Sequence, residues 1–295
     1  MTAVSDQPAH ADGRLVYLVT GANSGIGRAT AEVLAARGGH VILAGRSEER
    51  TRPVIDAIRT REPDAEVEFL LLDLAHLASV KRAAESLLSS GRRLDVLINN
   101  AGLAGPRALT ADGFDITFAT NHLGPFLFTN LLLPMLREAP QGRIVNVSSR
   151  AQMGAKSIDW GWLAHPPAPA VRIGRFPRYG VTKLMNAIHA RELARRLAGT
   201  RVTTYSLHPG LVASNIWRDI PRPFRAIMMM FMTSNEEGTA TSVYCATSPE
   251  LATVSGRYYE RCREAAPNPL ANDESLGREL FERSEQAIAS VLGPA

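Results

Sequence analysis

The chain has 295 residues, 45% hydrophobic and 21% charged, with a formal net charge of +4. That length and mix describe a globular protein able to bury one sizeable core, and argue against a disordered or fibrous chain. Arginines scattered along helical patterns, with aromatics at only 6%, argue against a nucleic-acid surface, which needs a basic stripe and stacking rings.

Residues 1–12 include Asp6, Pro8, His10 and Asp12, with no apolar run behind a basic segment, so a disordered tail is expected there rather than a signal peptide or anchor. The most apolar later stretch, Ala226 to Met232, is far short of the roughly 20 residues that span a bilayer. Cys245 and Cys262 have neither metal nor disulfide spacing. The expectation is a soluble cytoplasmic protein with reduced thiols and no metal site.

From Leu15 the chain alternates apolar runs with amphipathic helical patterns. Leu15 to Val19 ends at Gly21, and a helix pattern follows through Ile26, Ala29, Val33 and Leu34. Val41–Leu43 precedes a helix through Val54, Ile55 and Ile58, and Val67–Leu72 precedes one around Val80, Ala84 and Leu87. Val96–Ile98 is the fourth run and Ile144–Val147 the fifth, with a long helical span between them from Phe114 to Arg137. Val202–Leu207 and the short Arg257–Tyr259 complete the series. Unbroken β-branched runs alternating with helices mean parallel strands covered on both faces. The fold expected for residues 13–295 is therefore a single α/β domain, a Rossmann-type doubly wound parallel sheet of about seven strands. Two long connections, at about 150–178 and 215–233, interrupt the rhythm at carboxyl ends of strands, where such sheets bind ligands. They are expected to wall a substrate site for a bulky, largely apolar small molecule; the Met228–Met230 and Met232 cluster suits an adaptable apolar wall, while Trp160 and Trp162 either line the pocket or pin the insertion down.

Three features carry chemistry directly. The turn from Thr20 to Gly27 joins a strand to a helix; missing Cβ atoms at Gly21 and Gly25 let backbone approach a pyrophosphate, and Gly27 permits close helix–strand packing. At the end of the second strand stands Arg46, where a carboxylate would select the ribose 2′-hydroxyl. Its guanidinium suits a 2′-phosphate instead and predicts NADP(H), with Arg28 as a possible helper. Tyr179 and Lys183, four residues apart at the opening of the helix after strand five, share a helical face. A cation beside a phenol is expected to draw its pKa toward working pH.

Together these residues resemble the short-chain dehydrogenase/reductase superfamily from about Gly13 to the C-terminus. The resemblance extends to Asp73-Leu74, Asn99-Asn100-Ala101-Gly102, Asn121-His122-Leu123-Gly124, Ser148-Ser149 and Pro209-Gly210. Within the superfamily the chain is most similar to the retinol-dehydrogenase-like NADP(H)-dependent group, through Ala44-Gly45-Arg46, Asn121 to Phe126, Leu207 to Gly210 and Leu280 to Ser284. The resemblance implies an oxidoreductase moving hydride between NADP(H) and a carbonyl/alcohol pair. It implies Tyr179 as general acid or base and Lys183 on the nicotinamide ribose. Ser149 would donate to the substrate oxygen and Asn121 would hold a water linking Lys183 to solvent. Cofactor contacts are implied for Gly21, Asn23, Ser24, Gly25, Ile26, Gly27, Arg46, Asp73, Leu74, Asn99, Ala101, Gly102, Tyr179, Lys183, Pro209, Gly210, Val212 and Ser214. His122 and His208 are expected to be structural. Carbon–carbon double-bond reduction or other chemistry on the same fold, and a non-catalytic dinucleotide-binding regulator, remain the alternatives; a homo-oligomer is left open, and neither nucleic acid nor membrane is an expected partner.

Overall fold

Alternation along each strand sends successive side chains to opposite faces of one sheet. The computed structural model describes residues 13–104, 108–161, 175–210 and 235–293. Its strands are β1 (Val16–Thr20), β2 (His40–Gly45), β3 (Val67–Leu71), β4 (Val96–Asn99), β5 (Arg143–Val147), β6 (Thr203–His208), β7 (Arg257–Glu260) and β8 (Arg263–Glu264). They lie in the order β3-β2-β1-β4-β5-β6-β7-β8, with the first seven parallel and β8 antiparallel to β7. The seven expected strands are all present. The eighth is a two-residue return of the last one, too short to leave a periodic signal.

Val16, Leu18, Ile42, Leu97 and Ile144 face one core, filled by α3 (Leu77–Ser89), α5 (Gly124–Glu138), α6 (Arg175–Arg196) and α8 (Glu274–Leu292). Tyr17, Val19, Val41, Leu43, Ile98, Val145 and Leu207 face the other, closed by α1 (Gly25–Ala36), α2 (Glu48–Arg61) and α7 (Asn235–Thr247). The strand order reverses direction at β1, whose neighbours β2 and β4 carry the chain outward on opposite sides. A crevice opens at the carboxyl ends of β1 and β4, the place where doubly wound sheets receive ligands.

The long helical span expected between β4 and β5 is not uniform. A short α4 (Ile116–Phe118) passes into a π-helical segment, Ala119–Leu123, and then into α5. The first residue of α5 is a glycine, Gly124, where a Cβ would stand 2.2 Å from the Leu74 carbonyl oxygen. The helix of Tyr179 also begins earlier than the sequence suggested. It starts at Arg175, so Pro177 falls in the first turn, where its missing N–H leaves no intrahelical bond unmade.

Asp115 and Arg178 tie these two helices together. The Asp115 carboxylate accepts from the Thr117 and Phe118 amides, capping α4, and from Arg178 Nη1 at 2.6 Å. Both side chains are buried, at 0% and 2% exposure. Removing one member of such a pair leaves an uncompensated buried charge. Arg178→Met should therefore cost about 3–5 kcal/mol of stability, while Asp115→Leu combined with Arg178→Met should recover much of it; urea denaturation of the single and double variants measures both.

Candidate active site

The glycine turn hangs on the last residue of β1. Thr20 Oγ1 accepts from the Asn100 and Ala101 amides, each at 3.0 Å, and Asn100 Nδ2 returns a bond to the Thr20 carbonyl at 2.8 Å. These bonds clamp the ends of β1 and β4 across the crevice. Gly21 then turns with φ +67° and Gly25 with φ +56°, conformations that L side chains rarely adopt. At Gly27 a Cβ would lie 2.3 Å from Asn100 Nδ2 and 2.5 Å from the Gly21 carbonyl oxygen.

Helix α1 begins at this turn with an open N-terminus. Ser24 at its N-cap makes no side-chain cap bond, and no acidic residue lies in the first turn. By contrast, α2 is capped by Ser47 and carries Glu48 and Glu49 in its first turn. An N-terminus without its own cap or carboxylate keeps orphan N–H groups and a positive dipole end for an anion. Arg46 is exposed at the end of β2, one residue beyond the strand. Arg28 is engaged elsewhere, donating to Glu32 at 2.8 Å along α1. The turn and the open helix end fit a dinucleotide pyrophosphate.

The other half of the site is built on the end of β5. Lys183 is 2% exposed and donates from Nζ to the Val147 carbonyl at 2.8 Å. Asn186 Nδ2 donates to the same carbonyl at 3.3 Å, and Ser148 Oγ donates to the Lys183 carbonyl at 2.6 Å. Ser148 is thus consumed in holding α6, whereas Ser149 caps the following 3-10 turn, accepting from the Ala151 amide at 3.2 Å. Its hydroxyl also lies beside the Tyr179 phenol and lowers its pKa. Lys183 Nζ lies 5.5 Å from the centroid of the Tyr179 ring. A Cβ built on Gly102 would come within 3.1 Å of Lys183 Nζ and 3.4 Å of Asn121 Oδ1, so Gly102, Lys183 and Asn121 share one corner.

Asn121 is fully buried in the π-helical segment. Its side chain accepts from the Leu103 amide at 2.8 Å and donates to the Leu103 carbonyl at 2.9 Å and to Thr182 Oγ1 at 3.0 Å. Single π turns inside α-helices recur at functional sites because they re-aim local backbone groups. Asn99, by contrast, spends its buried side chain on Thr129 and Asn146, underneath the crevice. Asp73 accepts from the Ala75 amide at the end of the β3 connection, beside buried Leu74. Pro209 is buried and Gly210 takes φ +93° just beyond β6. Val212, Ser214 and the 215–233 insertion lie outside the described residues, as do residues 162–174 of the other insertion; of its two tryptophans, Trp160 packs against the core near Arg283.

The electrostatics correct one expectation. Burial pushes the Tyr179 phenol up to about 12, against a smaller lowering by the neighbouring Ser149 hydroxyl. Burial likewise brings Lys183 down to about 7. The i, i+4 spacing predicted a cation pulling the phenol toward neutrality. Instead both groups are withdrawn from water, and the ammonium is aimed at the Val147 carbonyl. His122 bonds Ser284 Oγ at 3.0 Å, and burial lowers the pKa of both His122 and His208, the latter to about 4. Among the described residues no group of three or more metal-ligating side chains occurs, and no helix is long and apolar enough to cross a membrane.

Sequence reasoning passed over Thr20, Asn100, Thr182 and the Asp115–Arg178 pair. Asn100 and Thr20 sit inside or beside the motifs, but their pairing spans 80 residues and has no local signature.

Comparison with known proteins agrees with this geometry. Residues 15–158 match the family model described as short chain dehydrogenase. The chain is 41% identical to dehydrogenase/reductase SDR family member 13 of Bos taurus, over 94% of this chain and 73% of that protein. It is 40% identical to retinol dehydrogenase 14 of Mus musculus, over 92% and 85% of the two chains. A crystal structure of a putative uncharacterized protein from Mycobacterium Paratuberculosis superposes with a TM-score of 0.75 at 32% identity, covering 100% of this chain and 99% of that one. The chain belongs to the short-chain dehydrogenase family, within its retinol-dehydrogenase-like group. It is accordingly an oxidoreductase, of a family that binds a nicotinamide dinucleotide.

The clearance at Gly27 makes a direct test of the turn. Gly27→Ala forces its methyl group into Asn100 and Gly21, so dinucleotide affinity should fall by about tenfold or more, equivalent to about 1.4 kcal/mol. Nicotinamide fluorescence titration reads the affinity, and an unchanged value would mean the clamp between β1 and β4 does not shape the site.

Proposed function

We propose that the protein is an NADP(H)-dependent carbonyl reductase or alcohol dehydrogenase acting on a bulky, largely apolar small molecule. The observation that carries this reading is the meeting of Ser149, Tyr179 and Lys183 at the carboxyl edge of β5, with Ser149 beside the phenol and Lys183 buried beside its ring. When bound, the nicotinamide supplies or accepts the hydride. Tyr179 delivers its phenolic proton to the substrate oxygen in reduction and takes it back in oxidation. A phenol raised to about 12 stays protonated across the physiological range, which favours its service as the acid. Ser149 donates to the same oxygen as charge gathers on it. Lys183 binds the nicotinamide ribose, and Asn121 holds the Leu103 backbone and the Thr182 side chain around that corner. The glycine turn and the N-terminus of α1 receive the pyrophosphate, and Arg46 receives the 2′-phosphate as a bidentate, charge-assisted pair. Support for an apolar substrate comes from the mouse relative, whose name denotes a dehydrogenase of retinol.

Tyr179→Phe separates chemistry from binding. It removes one oxygen and leaves the ring and Lys183, so turnover should fall about 10²–10⁴-fold with cofactor affinity nearly unchanged. Lys183→Ala should weaken both. Full activity in Tyr179→Phe, in steady-state assays of the reduction of aromatic and long-chain ketones, would move the proton donor elsewhere and defeat this mechanism.

Cofactor choice is tested at Arg46. Wild-type protein should bind NADPH about tenfold or more tightly than NADH, and Arg46→Asp should invert the ratio, since a carboxylate repels the 2′-phosphate. Equal wild-type affinities in a fluorescence titration would remove Arg46 from the site.

A further inference from the structure

Strands β7 and β8 are joined by a two-residue loop, Arg261-Cys262, between the paired Glu260 and Arg263. Arg261 has φ 51° and Cys262 φ 58°, and every other described residue with positive φ is a glycine. Two-residue hairpin loops with both central residues in this region are the territory of Asn-Gly and Asp-Gly. An arginine and a cysteine there are conformationally unfavourable choices, held in place partly by the bond from the Cys262 amide to Thr241 Oγ1 at 3.3 Å. The backbone alone gives no reason for an arginine at this position; its side chain does.

That side chain borders a surface cavity of about 440 Å³, lined by Arg150, Glu260, Arg261, Arg263 and Ala265. Arg150 Nε pairs with Glu260 at 2.7 Å. Arg261 and Arg263 are exposed and have no ion-pair partner among the described residues. Three guanidiniums against one carboxylate leave an excess of two positive charges on one concave surface. The cavity also adjoins the catalytic edge. Arg150 directly follows Ser149, its amide meets His208 Nδ1 at 3.4 Å, and Glu260 stands beside His208 at the end of β6 and β7.

We propose that this cavity binds an anionic group, a carboxylate or phosphate ester, carried by the substrate at the end remote from its reacting carbonyl, with Arg261 and Arg263 as the residues that read it. The substrate is then amphipathic, an apolar body with a charged terminus. Planar guanidinium forks match the two or three oxygens of such a group, and the Glu260–Arg150 pair holds the third arginine at the rim. This inference rests on the carbonyl-reductase reading and adds a substrate class to it.

The test uses 4-acetylbenzoate and the longer 5-oxo-5-phenylpentanoate, each against its methyl ester, with NADPH. Wild-type kcat/KM should favour the acid over the ester by about tenfold for at least one length. Arg261→Asn and Arg263→Gln should each erase most of that preference and leave kcat/KM for the esters within about twofold. Asparagine tolerates positive φ, so Arg261→Asn should melt no lower than wild type, and its loss of preference would not be a folding effect. Acids and esters turned over equally by wild type, or a preference that survives both substitutions, would overturn the anion site while leaving the carbonyl chemistry standing. If neither acid nor ester is turned over, the carbonyl reading fails, and calorimetric titration of the acids still decides the cavity. Acid binding lost in both variants upholds it, and acid binding absent from wild type or unchanged in the variants overturns it. Inorganic phosphate as a competitor in that titration separates a site for phosphate esters from one for carboxylates.

Discussion

An ammonium buried against the end of a parallel strand sets the geometry on which the site depends. Lys183 has left water, and only a well-aimed acceptor compensates for that. The acceptor is the carbonyl of Val147, which Asn186 also reaches one turn later, while Ser148 grips the Lys183 carbonyl from the strand side. These three bonds fix both the height and the rotation of α6 on β5. Since Tyr179 is one turn before Lys183 on the same face, its position follows from theirs. Apolar packing from Leu184, Met185 and Ile188 brings the helix to the sheet; the polar bonds decide where along the sheet it stops.

The two halves of the site work in opposite electrostatic regimes. Around Tyr179 and Lys183, burial governs, and it raises the phenol while lowering the amine. At the glycine turn the charges are those of backbone N–H groups and of an exposed Arg46, where solvent and salt weaken each interaction. The first regime favours precise placement of a proton. The second favours reversible capture of an anion. Thr20 and Asn100 join them mechanically, because the strand end that carries the turn is hydrogen-bonded to the strand that leads to Gly102 and the Lys183 corner.

Much of this was legible in the sequence, and the reasons for the exceptions are physical. Strands buried on both faces announce themselves as runs such as Val41–Leu43 and Ile144–Val147, and a glycine turn between strand and helix is a local pattern. The π-helical segment at Asn121 left no mark, because α and π turns place apolar residues at nearly the same spacing. The start of α6 was misplaced because proline reads as a helix breaker, although in a first turn it breaks nothing. The Asp115–Arg178 pair and the Thr20–Asn100 clamp join residues distant in sequence, and only folding reveals them. The phenol's pKa was misjudged because spacing reports proximity of a cation, not how dry the pair becomes.

Helix α8 lays Phe281 against Phe126 and His189, with ring centroids 4.9 and 5.4 Å apart, and brings Ser284 to His122. His122 and His189 belong to the two helices that carry Asn121 and Lys183. Both are translated before α8, so their contacts with Phe281 and Ser284 cannot form until that helix has followed them. The aromatic cluster behind the catalytic helices is thus completed by a late-translated segment, so the nascent chain passes through a stage in which the nucleotide-binding half has every strand it needs and the catalytic half does not yet have its back wall.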